Sequence, residues 1–182
     1  MRVKKTPLDG VMVIEPDVFP DERGFFKVAY HAEQYAQQGI RQTFVQDNQS
    51  RSKRGTLRGL HFQRHHPQAK LVTVLSGTVF DVAVDVRRSS PGFGRSFGVE
   101  LSDANHLQLY IPEGFAHGFC VLSETADIFY KCSDLYFPQH ERTLMWNDPA
   151  VGIHWPLPQD VPLILSAKDQ QGAPLAELDA FE

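Results

Sequence analysis

The sequence predicts a mainly β protein, a sandwich or small barrel with few short helices. Short apolar runs rich in β-branched and aromatic residues recur about every ten residues, and turn-forming residues separate them. Only one segment has a clear helical pattern. Of the 182 residues, 42% are apolar and 22% are charged, which is the balance of an ordinary globular chain. One domain spanning residues 1–182 is therefore expected.

The N-terminal part of the chain contains three predicted strands and the one helix. The segment GVMVIEP predicts a strand that ends at Pro16, and DERGFFKVAY predicts a turn followed by a strand. HAEQYAQQGI contains good helix formers and stops at Gly39, which predicts a helix. FVQDNQSRS predicts a strand that runs into a polar turn.

The central part of the chain has the strongest strand pattern. TLRGLHFQ predicts a strand in which Gly59 forms a bulge. In KLVTVLSGTVFDVAVDV, two β-branched runs flank Ser76 and Gly77, which predicts a hairpin. SFGVELS, HLQLYIP, HGFCVLS and DIFYKCS predict four further short strands. After Pro138 the pattern loosens, and an irregular tail folded back onto the barrel is expected.

Charge and apolar patterning exclude several classes of protein. The formal net charge of −4 provides no basic field for nucleic acid. No apolar run reaches the length of a membrane span, and the N-terminus is a poor signal peptide. Cys120 and Cys132 lie in strand-like segments, where they could face each other across a hairpin, although buried reduced thiols are favoured. We expect a cytoplasmic protein.

A metal site is one interpretation of the histidines. IPEGFAHGF, which ends just past His117, resembles the second motif of the cupin superfamily of small β-barrels, whose metal-binding members also carry His-x-His followed by Glu. Here Gln63 stands at the second histidine position, and no carboxylate lies between His66 and Gly77. Lys70 would repel a divalent cation there. No metal is therefore predicted, with a rearranged site of His65, His66 and His117 as the alternative.

Proton transfer is the competing interpretation. His61 could act as a base if Asp169 orients its ring and stabilises the imidazolium. Tyr130 could supply a phenolic proton to the other face of a substrate, and Lys70 and Arg58, from neighbouring strands, could stabilise an enolate oxygen. Each residue also has a structural alternative, because a single strand histidine or tyrosine usually belongs to the core or its rim.

Longer blocks of the sequence match a known family. The chain resembles dTDP-4-dehydrorhamnose 3,5-epimerases, which have the cupin-type double-stranded β-helix, or jelly-roll barrel. The matching blocks lie between residues 15 and 169 and are EPDVFPDERGFF, FVQDN, LRGLHFQ, FDVAVDVRRSSPGFG, IPEGFAHGF, FYK, WNDPAVGIHWPL and SAKD. The resemblance implies cofactor-free epimerisation at C3 and C5 of a dTDP-linked 4-keto-6-deoxy sugar, for dTDP-rhamnose and cell-surface polysaccharide biosynthesis. It also implies a homodimer in which each partner contributes to the other's nucleotide site.

The resemblance also implies roles for individual residues. His61 matches the base, Asp169 its carboxylate partner, Tyr130 the proton donor and Lys70 the group that stabilises the enolate. Arg58 and His117 match substrate-contacting positions, and Tyr136 matches an aromatic ring that stacks on thymine. The remaining substrate-binding positions are Arg23, Gln46, Asp47, Asn48, Glu141 and Lys168.

Two departures from the family pattern concern the nucleotide side. Val28 stands where the family has glutamate, and Gln49 stands where it has histidine. The alternatives are therefore a mono- or double epimerase of a CDP- or GDP-linked 4-keto sugar, a ketoisomerase, or a non-catalytic sugar-binding cupin. The sequence also raises a geometric question, since Arg58 and His61 would point to opposite faces of a regular strand. Both can enter one cavity only if the strand is irregular, and Gly59 is the expected place.

Overall fold

The computed structural model describes residues 1–182 and consists mainly of β-strands. The strands are β1 (Arg2–Lys5), β2 (Met12–Glu15), β3 (Val18–Asp21), β4 (Gly24–Lys27), β5 (Gln46–Lys53), β6 (Leu57–Gln63), β7 (Lys70–Ser76), β8 (Thr78–Asp85), β9 (Ser96–Ser102), β10 (Gln108–Ile111), β11 (Phe115–Val121), β12 (Thr125–Cys132) and β13 (Glu141–Thr143). The helices are α1 (Ala32–Gln37) and α2 (Ala167–Gln170), and one 3₁₀ turn spans Pro138–His140.

Two antiparallel sheets form the barrel. The strand order is β1-β2-β10-β7-β12-β5 in the six-stranded sheet and β13-β6-β11-β8-β9 in the five-stranded sheet. From β5 to β12 the chain changes sheet at every step except between β8 and β9, which pair with each other. This strand order is that of a jelly roll. The predicted class, a mainly β cupin-type barrel with few short helices, is confirmed.

The hairpin predicted at Ser76 and Gly77 is wrong. β7 pairs with β10 and β12, whereas β8 pairs with β11 and β9, so this turn carries the chain from one sheet to the other. A short Gly turn between two β-branched runs is typical of a hairpin, but a jelly roll uses the same kind of turn to cross between sheets. Gly77 has φ +82, and a Cβ there would lie 2.2 Å from the carbonyl oxygen of Thr125.

Three apolar clusters hold the barrel together. The central cluster lies between the sheets and includes Val72, Ile128 and Phe119. The outer face of the six-stranded sheet packs against α1 through Tyr35. The outer face of the five-stranded sheet is covered by the C-terminal tail, where Leu178 is buried. The central strands β8 and β11 are therefore buried along nearly their whole length, and the tail folds back as predicted.

The strands β3 and β4 form a separate two-stranded ribbon. Its large aromatic side chains face outward, and Phe19, Phe25 and Phe26 are 58%, 56% and 65% exposed. An apolar surface of this kind on a projecting ribbon is typical of an interaction site.

The two cysteines are free and buried. Cys120 lies on β11 and Cys132 on β12, which belong to opposite sheets, so they do not face each other across a hairpin. The favoured interpretation, two buried thiols, is confirmed. None of the helices has the length and apolar character needed to cross a membrane.

Candidate active site

A cavity of about 380 Å³ opens at one end of the barrel, and we refer to it as the central cavity. Its walls continue the inward-facing rows of the apolar core. On β7 the row Val74, Val72 ends in Lys70, and on β12 Ile128 is followed by Tyr130. The strand period of two therefore puts these polar side chains inside the barrel. Ten of the predicted site residues line the central cavity: Gln46, Asn48, Arg58, His61, Lys70, His117, Tyr130, Tyr136, Glu141 and Lys168.

His61 and Asp169 form a hydrogen-bonded pair at the wall of the cavity. The distance from His61 Nε2 to Asp169 Oδ1 is 2.6 Å. The His61 side chain is 21% exposed and that of Asp169 only 3%, so the imidazole faces the cavity and the carboxylate lies behind it. The contact proposed from the sequence is therefore present in the structure.

Asp169 is held by a short helix that the sequence analysis missed. Ser166 caps α2, since its hydroxyl accepts a hydrogen bond from the Asp169 N–H at 3.1 Å and donates to Asp169 Oδ2 at 2.6 Å. The Gly59 N–H donates to Asp169 Oδ1 at 3.2 Å. Burial opposes ionisation, but the hydrogen bonds from His61, Ser166 and Gly59 lower the pKa of Asp169 to about 2. Asp169 is therefore a carboxylate at neutral pH.

The environment of His61 favours the neutral imidazole. Burial lowers the pKa of His61 below its ordinary value, and the hydrogen bond to Asp169 opposes that shift without reversing it. A neutral ring must donate from Nε2 to the carboxylate, so Nδ1 carries the lone pair. Nδ1 makes no hydrogen bond within the protein. His61 is thus prepared to accept a proton.

Tyr130 lies on the sheet opposite His61. It belongs to β12 in the six-stranded sheet, whereas His61 belongs to β6 in the five-stranded sheet. Burial raises the pKa of the Tyr130 phenol, and the positive charge of Arg58 partly opposes that shift. The phenol is therefore protonated at neutral pH. A molecule in the cavity meets a proton acceptor on one sheet and a proton donor on the other.

Two cations complete the walls. Lys70 is half-buried and forms no salt bridge, and its burial lowers the pKa of the ammonium below the ordinary value. Arg58 donates to Ser52 Oγ at 3.0 Å and forms no salt bridge either. Contrary to the expectation of neighbouring strands, Lys70 stands on the opposite sheet from Arg58 and His61. Charge without a carboxylate partner can stabilise an anion in the cavity.

The irregularity predicted at Gly59 is confirmed. His117 on β11 is paired with His61 on β6, and Phe119 is paired with Arg58. Between these two pairs β6 has one residue more than β11, which makes a β-bulge in β6. Gly59 has φ +115, and the Gly59–Leu60 peptide is cis. A Cβ on Gly59 would lie 2.6 Å from the Cα of Gly118, so this close strand approach requires glycine. The extra residue lets Arg58 and His61 enter the same cavity.

His117 is oriented by a residue that the sequence analysis did not select. Its Nε2 lies 2.9 Å and 3.0 Å from the two carboxylate oxygens of Asp81 on β8, which is completely buried. Asp81 lies two residues from Val79 and Ala83 in the inward-facing row of an apolar strand. A charged residue at a core position of a predicted strand was the signal that could have identified it.

The cavity mouth carries a set of linked polar and aromatic side chains. Glu141 accepts from the Tyr136 hydroxyl at 3.1 Å and from Lys168 Nζ at 2.7 Å. Gln46 accepts from the Tyr136 N–H at 3.0 Å and donates to Asn48 Oδ1 at 2.9 Å. The Tyr136 ring itself is 47% exposed. This end of the cavity offers an aromatic face and several hydrogen-bonding groups.

Two predicted substrate-binding residues lie outside the central cavity of this chain. Asp47 points to the other face of β5 from Gln46 and Asn48, because strand side chains alternate, and it pairs with Lys131 at 2.8 Å. Arg23 lies at the exposed turn between β3 and β4 and pairs with Asp21. Of the two departures, Gln49 borders the cavity from the exposed face of β5 that also carries Asp47, whereas Val28 is exposed just after β4.

No group of three His, Cys, Asp or Glu side chains converges in a geometry that could hold a metal ion. His65 and His66 lie in the loop after β6, where their rings pack against His140. His117 is inside the barrel with Asp81. The rearranged histidine site considered from the sequence therefore does not form.

Comparisons with known proteins identify relatives of this chain. A family model for dTDP-4-dehydrorhamnose 3,5-epimerase matches residues 5–177. An enzyme of that name from Pseudomonas aeruginosa is 51% identical over 182 residues, which cover 100% of this chain and 99% of the relative. Another from Salmonella typhimurium is 52% identical over 179 residues, which cover 97% of this chain and 96% of the relative.

A solved structure has the same fold. It is a dTDP-6-deoxy-D-glucose-3,5-epimerase from Legionella pneumophila in complex with dTDP-4-keto-L-rhamnose, with 48% sequence identity and a TM-score of 0.94. The match covers 97% of this chain and 93% of that one. On the evidence of sequence and structure alike, the chain belongs to the dTDP-4-dehydrorhamnose 3,5-epimerase family.

Proposed function

We propose that the protein inverts C3 and C5 of dTDP-4-dehydro-6-deoxy-D-glucose to give dTDP-4-dehydro-L-rhamnose, as an isomerase that needs no cofactor. One observation carries this proposal: His61 with Asp169 and Tyr130 stand on opposite sheets of one cavity. An acid and a base on opposite faces of a sugar ring are the minimal machinery for inversion. The names of the relatives and the ligand of the Legionella protein support the substrate.

Proton removal is the first step of the proposed mechanism. The C4 ketone acidifies the hydrogens on C3 and C5, and neutral His61 takes one of them while the electron pair of the C–H bond moves to O4. Asp169 stabilises the imidazolium that results, because it remains ionised. Lys70 and Arg58 stabilise the developing negative charge on O4. The intermediate is an enolate with a planar reacting carbon.

Proton return completes the inversion. Tyr130 donates its phenolic proton to the other face of the planar carbon, and the electron pair on O4 returns to restore the ketone. The protein then holds an imidazolium at His61 and a phenolate at Tyr130. Both must exchange protons with solvent before the second carbon reacts. The raised pKa of Tyr130 favours its return to the protonated form.

The nucleotide is proposed to lie at the cavity mouth. Tyr136 provides a ring on which the thymine stacks, and Gln46, Asn48, Glu141 and Lys168 provide hydrogen bonds and charge around it. His117, fixed by Asp81, contacts the sugar. Arg23 and Asp47 are proposed for the diphosphate side, although neither faces the central cavity of its own chain.

A homodimer is the proposed assembly. The exposed Phe19, Phe25 and Phe26 give the ribbon of β3 and β4 an apolar surface, and Arg23 lies at its tip. If the ribbon packs against a second copy, Arg23 reaches the partner's cavity rather than its own. We further propose that residues 1–182 form one domain and that the protein works in the cytoplasm.

Solvent exchange tests the reaction directly. Substrate incubated with the protein in heavy water should acquire deuterium at both C3 and C5, which NMR of the product resolves. Label at one position would identify a mono-epimerase, a moved carbonyl would identify a ketoisomerase, and no label would contradict the proposal. His61→Asn should abolish exchange, whereas Tyr130→Phe should retain some exchange and lose inversion.

Nucleotide preference is tested separately, because Val28 and Gln49 depart from the family pattern on that side. Calorimetric titration with dTDP, CDP, UDP and GDP should give the tightest binding for dTDP. Tighter binding of CDP or GDP would mean that the substrate is a CDP- or GDP-linked sugar, while the proton-transfer chemistry would remain as proposed.

A further inference from the structure

Gln63 is the last residue of β6, and its side chain is buried beside the central cavity. It is 3% exposed and lines the cavity without a charge of its own. It also occupies the position at which the metal-binding cupin motif has a second histidine. No part of the proposed proton transfer uses it, so its burial requires another explanation.

The Gln63 amide makes hydrogen bonds to backbone groups of two loops. Its Nε2 donates to the carbonyl oxygen of His66 at 2.6 Å and to that of Leu135 at 3.1 Å. Its Oε1 accepts from the N–H of Phe137 at 2.6 Å. Three of the four hydrogen bonds that an amide can make are thus present. The donors and acceptors fix which way the amide faces.

Gln63 contacts Leu135 and Phe137, the residues immediately before and after Tyr136 in the chain. Gln63 holds the carbonyl before Tyr136 and the N–H after it. Residues 133–137 lie between β12 and the 3₁₀ turn and belong to no strand or helix. The N–H groups of Tyr136 and Phe137 donate to the side chains of Gln46 and Gln63 instead of to backbone carbonyls.

Further contacts fix Tyr136 itself. Its N–H donates to Gln46 Oε1 at 3.0 Å, and its hydroxyl donates to Glu141 Oε2 at 3.1 Å. Glu141 is in turn the cross-strand partner of Gln63 in the pairing of β13 with β6. The paired residues Gln63 and Glu141 therefore hold the backbone on either side of Tyr136 and the tip of its ring. The exposed ring is thus fixed at the mouth of the cavity before any ligand arrives.

We propose that Gln63 is a positioning residue that presents the Tyr136 ring as a preformed stacking surface for the nucleobase. The inference rests on the proposed function, because it assigns the base to Tyr136. Ordering a loop and an aromatic side chain on binding costs affinity, and a surface that is already ordered avoids that cost. Loss of Gln63 therefore weakens nucleotide binding through Tyr136 and leaves proton transfer at saturating substrate intact.

A double-mutant cycle with Tyr136 separates this role from a general structural one. The variants are Gln63→Glu, which places an anion against two carbonyl oxygens, Gln63→Met, which removes all three hydrogen bonds without charge, Tyr136→Ala and the double variants. The dissociation constant for dTDP is measured by calorimetry, and kcat and KM are measured with the nucleotide sugar. Gln159→Glu is the matched control, since Gln159 is exposed and donates to the Leu157 carbonyl at 3.1 Å.

The expected result is strong coupling. Each Gln63 variant should weaken dTDP binding about tenfold, the size expected when a buried hydrogen-bond set is lost, with a similar rise in KM and little change in kcat. In the Tyr136→Ala background the same substitutions should change binding by no more than about twofold. Gln159→Glu should match the original protein.

Three results would overturn the proposal. Additive effects of the Gln63 and Tyr136 substitutions would show that Gln63 acts independently of the ring. A fall in kcat with unchanged dTDP binding, or a wild-type affinity in both Gln63 variants, would also overturn it. Deuterium exchange by the original protein, measured in the same series, reports on the proposed function alone. If the original protein does not bind dTDP, both proposals fail.

Discussion

His61 and Asp169 are 108 positions apart in the chain, yet His61 Nε2 and Asp169 Oδ1 are separated by 2.6 Å. The histidine is on a strand of the barrel, and the aspartate is on a short helix of the C-terminal tail that closes the cavity from behind. Three hydrogen-bond donors keep the carboxylate ionised although burial opposes its ionisation, and its charge and position select one tautomer of the imidazole. The chemistry of the base depends on this long-range contact.

Asp169→Asn should reduce kcat/KM by about 10² to 10⁴-fold, the range in which a base loses its orienting carboxylate. Burial lowers the pKa of His61 below its ordinary value, so the original protein should remain active below pH 6.5 and lose activity as His61 becomes protonated. Asp169 raises that pKa, and its removal should move the acid limb to still lower pH. The pH profile of kcat/KM measures both effects.

Asp179→Asn is the control for this prediction. Asp179 pairs with Arg142 at 2.9 Å on the protein surface, away from the central cavity, and its loss should leave the profile unchanged. If Asp169→Asn has the same rate as the original protein and the same acid limb in its pH profile of kcat/KM, then Asp169 does not act on His61.

The same pair should make the stability of the fold depend on pH. The pKa of Asp169 is lowered from 3.8 to about 2, so the folded state holds that proton less tightly than the unfolded state. Ionised Asp169 contributes about 2 kcal/mol to the free energy of unfolding above pH 3.8. This contribution is lost as the pH falls to about 2. The pKa of His61 is also lowered in the folded state, so the unfolded state binds this proton more tightly. The free energy of unfolding should therefore also fall as the pH falls below 6.5.

Urea unfolding at several pH values measures this dependence. The free energy of unfolding should fall on acidification in two windows. In Asp169→Asn the fall in the lower window should be smaller, because Asp85 and Asp127, whose pKa values are also lowered, still contribute there. A variant whose stability still falls as steeply between pH 4 and 2 would contradict the assignment of that window to Asp169.

Ser166→Ala should destabilise the protein by about 1 kcal/mol, because it removes the N-cap of α2. It should also lower kcat, by less than Asp169→Asn, because Asp169 loses one of its hydrogen bonds. Thermal unfolding should shift down by about 2–4 °C for a chain of this size. Ser166→Thr retains the hydroxyl and is expected to keep the melting temperature and the rate; if both Ser166 variants behave alike, the hydroxyl is not the cause.

Local patterns predicted the strands that carry Lys70, His117 and Tyr130. All three side chains line the central cavity in the structure. Gly59 was identified because Arg58 and His61 could not otherwise share a cavity. In both cases the governing physics acts over a few residues.

Long-range features could not be predicted in the same way. The turn at Gly77 has the local chemistry of a hairpin, and only the pairing of the whole sheet shows that it crosses between sheets. The burial of Asp81 against His117 and the use of Gln63 to hold Tyr136 depend on contacts between distant segments. The four-residue α2 is too short to have a periodic pattern, so its capping Ser166 also escaped notice.

Gly59→Ala should abolish activity and destabilise the fold by about 3 kcal/mol or more, because the new Cβ meets backbone atoms. The contacts would be 2.6 Å to Gly118 Cα and 2.7 Å to the His117 carbonyl oxygen. Separation of β6 from β11 would displace both Arg58 and His61. Denaturant unfolding and the exchange assay measure the two effects.

Gly152→Ala isolates the cost of a positive φ from the cost of the clash. Gly152 has φ +63, but the nearest atom to an added methyl group would be 3.8 Å away, so the expected cost is only about 1 kcal/mol. Equal losses in Gly59→Ala and Gly152→Ala would mean that the backbone angle, and not the close approach of β11, makes glycine necessary at position 59.

The ribbon of β3 and β4 provides the test of the proposed dimer. The original protein should sediment at twice the mass of one chain, and the double substitution Phe25→Ser with Phe26→Ser should produce monomers, because it removes two of the exposed rings. Since Arg23 is proposed to complete the partner's site, the monomer should bind dTDP more weakly while its own cavity stays intact. Ile164→Ser, which changes an exposed apolar residue elsewhere, should remain dimeric. A monomeric original protein with full dTDP affinity would contradict both the assembly and the role of Arg23.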